Sequence, residues 1–80
     1  MKREEEAIEL AHQAIDEDPG FANGYYTLAN AQYVLKHYDE ALENYAKCIQ
    51  LDPKHRYAYT GLANVIFIKQ NWKRAIDVYT

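Results

Sequence analysis

The chain has 80 residues, of which 49% are apolar and 26% charged, and a formal net charge of −3. That length allows one small domain with little stability to spare, while that apolar share excludes a disordered tail. A negative balance argues against nucleic acid as the main partner, because phosphate binding is driven by clustered Lys and Arg. No apolar run approaches the roughly 18 residues of a membrane span, and the charged stretch 1–6 leads into no apolar signal segment, so a cytoplasmic protein without membrane attachment is expected.

Residues 4–17 carry Ala7, Ile8, Leu10, Ala11, Ala14 and Ile15 at spacings of three and four, the stripe of an amphipathic helix, which Pro19 and Gly20 end. A second helix is expected over about 22–36, with Tyr25, Leu28, Ala29 and Tyr33 on its periodic face. Asp39 and Glu40 suit the positive end of a third helix, which carries Ala41, Leu42, Tyr45, Cys48 and Ile49 and stops at Asp52 and Pro53. A fourth begins near Arg56 with Tyr59, Leu62, Ala63, Ile66 and Phe67. Asn71 is the expected N-cap of a fifth, with Ala75, Ile76 and Tyr79. The short connections make consecutive helices antiparallel neighbours.

Sliding the sequence against itself by 34 residues aligns thirteen identical pairs, among them Ala7 with Ala41, Pro19 with Pro53, Tyr25 with Tyr59, Leu28 with Leu62, Ala29 with Ala63, Asn30 with Asn64 and Tyr45 with Tyr79. Such a period marks a helical repeat, and a unit of this size buries its apolar face only by stacking on a neighbour. Alanines fall where helices must approach closely: Ala29 and Ala63 on one kind of helix, Ala7, Ala41 and Ala75 on the other.

These residues resemble the tetratricopeptide repeat, whose pattern is W-x2-L-G-x2-Y, then A-x3-F, then P. One unit here runs Tyr25-x2-Leu28-Ala29-x2-Gln32, Ala41-x3-Tyr45, Pro53; the next runs Tyr59-x2-Leu62-Ala63-x2-Ile66, Ala75-x3-Tyr79. Tyr stands for Trp, Ala for Gly, and Lys36 and Gln70 occupy turn positions where the family places Gly. The resemblance implies an all-α fold of antiparallel helix-turn-helix repeats stacked as a right-handed superhelical solenoid, about five helices in all. As one domain, it divides into the second helix of a partial repeat (1–19), a complete repeat (22–53) and a truncated repeat (56–80).

In such arrays the first helix of each unit lines a concave groove, and the resemblance implies a peptide segment of a partner protein lying there. On this sequence that face carries Tyr26, Asn30 and Tyr33, then Thr60, Asn64 and Phe67 one unit later, with Tyr57 extending it. Carboxamides can both donate to and accept from a peptide backbone, and the rings add contact area at low entropic cost. The same residues also fit an ordinary helix surface. Some family members clamp a chaperone's C-terminal carboxylate with basic residues and asparagines; Asn30 and Asn64 match, but Tyr26 stands at the first basic position.

The alternative is a structural element that self-associates through uncapped repeat ends, at Leu10 and Ala11 on one side and Ile76 and Tyr79 on the other. An enzyme is not expected, nor a cofactor or metal. His12, His37 and His55 share no ligand spacing and suit solvated positions, and Cys48, aligned with Ala14, suits a buried, inert thiol. The basic group Lys69, Lys73 and Arg74 suits a solvated face.

Overall fold

The computed structural model describes the backbone of residues 2–79 and the side-chain surroundings of residues 3–71. Four helices follow one another: α1 (Lys2–Glu17), α2 (Ala22–Val34), α3 (Tyr38–Leu51) and α4 (Arg56–Tyr79). Each packs on the next in the chain, so the helices form a single layer. The Cα envelope, 46 × 30 × 15 Å, has the flatness that such a row requires. None of the helices is long and apolar enough, among the described residues, to cross a membrane.

The two Asp-Pro junctions are built alike. The Asp18 and Asp52 amides bond back to the carbonyls of Ala14 and Cys48, at 2.9 and 2.8 Å. Asp18 Oδ1 then accepts from the Gly20 amide at 3.2 Å, and Asp52 Oδ1 from the Lys54 amide at 3.1 Å. Proline cannot continue the helix, and the aspartate side chain satisfies the backbone of the turn that follows. The repeat is thus reproduced at the level of individual hydrogen bonds, with glycine in one copy and lysine in the other.

The turn within the complete repeat is different, because it needs a left-handed residue. Lys36 has φ 65°, the only positive φ among described non-glycine residues. Around it the Lys36 amide bonds to the Tyr33 carbonyl and the His37 amide to the Gln32 carbonyl, at 3.0 and 2.8 Å, which together close the C-terminus of α2. A lysine there costs about 1 kcal/mol relative to glycine, and the packing of α3 on α2 offsets it.

At the equivalent position one unit later no turn forms. Helix α4 passes through Gln70 without interruption, so the fifth helix expected from Asn71 is not a separate element. Lys69, Gln70 and Asn71 include neither proline nor glycine, so nothing local forces the helix to end and i to i−4 bonding continues. The consequence for packing is direct. Ala29 is fully buried under α3, whereas Ala63, its equivalent, is exposed, along with Tyr59, Ile66 and Phe67.

The core runs between α2, α3 and α4 and consists of Ala29, Ala41, Tyr45, Cys48, Ala58 and Val65. Small residues bring the helices close, and Tyr45, 2% exposed, fills the space between them. Gly61 makes this possible: a Cβ there would sit 2.5 Å from the Tyr45 ring. The expected exposure of Ala11 is corrected by the structure, which buries it to 3% because α1 turns that side toward α2. Leu10 beside it is 64% exposed. Ile76 and Tyr79, the other residues expected at an uncapped end, lie outside the described side chains.

Two substitutions test this packing by urea denaturation. Gly61→Ala should lower stability by about 1–3 kcal/mol through overpacking, although alanine is the better helix former. Lys36→Gly should raise it by roughly 0.5–1 kcal/mol by relieving the left-handed lysine. A stabilised Gly61→Ala variant would contradict the seating of Tyr45.

Candidate functional site

Aromatic rings gather where the start of α2 meets the turn into α4. Tyr26 lies with its ring centroid 4.8 Å from that of His55, 6.3 Å from Tyr57 and 6.1 Å from Tyr45. These tilted arrangements are ones that aromatic pairs favour. Tyr26 is half-buried, while Tyr57 is 72% exposed and turned to solvent. A hollow of 680 Å³ opens here, lined by Asn23, Tyr26, Thr27, Asp52, Lys54, His55, Arg56 and Tyr57. That is room for several side chains of a ligand.

His55 organises this end. Its Nδ1 accepts the Ala58 amide at 3.1 Å, which makes the histidine the N-cap of α4. With Nδ1 accepting, the ring proton sits on Nε2, which donates to Asn23 Oδ1 at 2.7 Å. The side chain is therefore half-buried and bonded at both nitrogens, not the solvated histidine expected from its spacing. Sequence reasoning named His55 only as a solvated histidine and did not single out Asn23 for this region. The signal was present in the position of His55, immediately before the first residue of α4.

Deeper in the layer, the Tyr45 hydroxyl donates to Asn30 Oδ1. Burial pushes the Tyr45 hydroxyl from the usual 10.0 up to about 12, with the nearby Tyr26 and Tyr33 adding to the shift. Tyr33 packs edge-on against Tyr38, centroids 5.9 Å apart. Along the same side of the layer, Gln32 is held between Glu40 and Asn44, with its Oε1 accepting from Asn44 Nδ2 at 2.7 Å. Cys48 is fully buried, and burial, with Asp52 adding, raises its thiol so that it stays protonated at neutral pH.

The structure thus brings Tyr26 and Tyr57 into one hollow and ties Asn30 to the core beneath it. Thr60, Asn64 and Phe67 are exposed on α4, Phe67 to 65%, and the Thr60 hydroxyl donates to its own helix at the Arg56 carbonyl. Tyr33 is half-buried. Among the described residues, no group of three or more His, Cys, Asp or Glu could hold a metal ion.

A tetratricopeptide-repeat family model matches residues 22–55. That segment contains α2, the left-handed turn at Lys36, α3 and the Asp-Pro junction. Residues 22–55 are a tetratricopeptide repeat. A comparison with curated proteins gives no match. Tetratricopeptide repeats in general mediate protein–protein interaction, and helical units of this kind present side chains along one face of a shared layer.

The environment of Tyr45 predicts an alkaline weakness of the repeat. Its folded-state hydroxyl titrates above its unfolded value, so its contribution is complete below pH 10 and is lost as pH rises toward about 12. Urea midpoints of the native chain should therefore fall more steeply across that window than those of Tyr45→Phe. At pH 7 the same variant should cost about 1 kcal/mol through the hydrogen bond lost to Asn30. Parallel alkaline slopes would remove Tyr45 as the source.

Proposed function

We propose that the chain is a non-catalytic protein-interaction module whose concave face, in a right-handed solenoid of such repeats, holds a peptide segment of a partner protein. The residues assigned to that face are Tyr26, Asn30, Tyr33, Tyr57, Thr60, Asn64 and Phe67. The observation that carries the proposal is the aromatic hollow between Tyr26, His55 and Tyr57, formed where two successive units meet. Asn30 spends its carbonyl oxygen on Tyr45 and offers its amide N–H groups to a peptide carbonyl. Asn64, its equivalent on α4, is exposed and can both donate and accept.

Exposed rings beside a shallow hollow suit an extended peptide with an apolar or aromatic anchor. They give contact area at small entropic cost, and the carboxamides fix the direction of the backbone. The complete repeat 22–53, with the helix before it and the helix after it, supplies one such junction. The overall charge is −3, and no part of this proposal draws on nucleic acid or membrane.

Peptides selected from a displayed random library provide the test. Tyr57→Ala combined with Asn64→Ala alters two exposed side chains and should leave the melting temperature unchanged. The pair should weaken a selected peptide by about 1–3 kcal/mol. Asn30→Ala should do so as well, while also destabilising the fold through Tyr45. Selected peptides that bind the double variant undiminished would place the site elsewhere.

A further inference from the structure

Helix α4 carries an apolar face that its counterpart in the repeat keeps covered. On α2, Tyr25, Ala29, Gln32 and Tyr33 lie under or beside α3. Their equivalents on α4 are Tyr59, Ala63, Ile66 and Phe67, and all four are exposed. The segment after Gln70 continues the axis of α4 and does not double back over this face.

Helix α1 is the chain's other copy of the covering helix. It aligns with α3 through Ala7 and Ala41, Ala14 and Cys48, Ile15 and Ile49. One side of α1 packs on α2, as α3 packs on α4, with Ile15 against Gly24. The side corresponding to the α2-facing surface of α3 is open and carries Glu6 and Leu10. Chemistry at the matched positions agrees. Within the complete repeat, Gln32 bonds to Asn44 and Glu40. The equivalent of Gln32 is Ile66 and the equivalent of Asn44 is Leu10, so a polar pair is replaced by an apolar pair, and both members face solvent.

Charge points the same way. Helix α1 has six acids against two bases, whereas α4 has four bases against one acid. With α1 antiparallel to α4, as α3 is to α2, Glu4, Glu5 and Glu6 fall beside Lys69, which also pairs with Asp39 of its own copy, and Asp16 and Glu17 fall beside Arg56.

We propose that copies of this chain associate head to tail, the open side of α1 in one copy covering the Tyr59, Ala63, Ile66 and Phe67 face of α4 in the next, with Leu10 seated against Ile66. The contact uses different surfaces on the two copies, so it is heterologous and propagates into open oligomers instead of stopping at a dimer. It leaves the hollow at Tyr26 and Tyr57 open, although it covers Phe67, which is also assigned to the peptide face.

Sedimentation velocity on the 80-residue chain, from about 1 µM to about 1 mM, tests it. The native chain should grow beyond a dimer with concentration, and less so at high salt. Leu10→Glu and Ile66→Glu each change an exposed residue and should each give a monomer with unchanged helical content. Mixed in equal amounts, the two variants should form a dimer and no larger species, because one retains an intact α4 face and the other an intact α1 face. A native chain that stays monomeric throughout would overturn the proposal. So would a Leu10→Glu variant that still self-associates, since that outcome means α4 pairs with α4. At about 1 µM, where the native chain is a monomer, binding of a selected peptide should be equal in the Leu10→Glu variant and the native chain, which separates this contact from the peptide site.

Discussion

Everything between α2 and α4 depends on how one phenol is seated. Tyr45 reaches from α3 to both neighbours: its hydroxyl meets Asn30 on α2, and its ring lies over Gly61 on α4. The residues around it are small, so the helices close down on the ring without leaving a void. The same contact positions Tyr26, whose ring lies between Tyr45 and the exposed Tyr57. A single buried side chain thereby sets the spacing of the layer and supports the floor of the hollow above it.

Two matching positions, one a turn and one within a helix, show how evenly balanced a repeat can be. Lys36 and Gln70 are both non-glycine, and neither favours the left-handed conformation that a tight helical turn requires. At Lys36 the turn forms nonetheless, closed by two backbone hydrogen bonds and held by the packing of α3. At Gln70 the helix goes on. Local preference is much the same in the two places, so tertiary packing decides between turn and helix.

This explains what the sequence made legible. The alignment of Ala29, Ala41, Tyr45 and Cys48 with the periodic faces of their helices pointed to a core, and all four are buried. The Asp-Pro junctions could be read because their chemistry is local: proline stops the helix and aspartate caps the turn. Ala63 could not be read the same way. Its identity matches that of Ala29, but whether its face is covered depends on where another helix lies. His55 was obscured for a different reason: spacing rules look for metal partners, while its role comes from standing at the first turn of α4. In the preceding unit Phe21 occupies that position and has no side-chain cap to offer. Of the residues expected on the groove face, Tyr26 and Tyr57 were assigned to it from helical spacing within each unit, but their meeting across two helices and the bond from Tyr45 to Asn30 required the packing of α3.

A single row of helices also determines how the protein comes apart. Each helix relies on its immediate neighbours, and among the described residues α1 makes no packing contact with α3 or α4. Stability is then close to a sum of local junctions, so α1 can peel from α2 without disturbing the ring of Tyr45. The fold therefore has a graded resistance along its length. Its firmest part is the α2–α3 pair, where each helix is clasped from both sides, and its resistance falls toward α1.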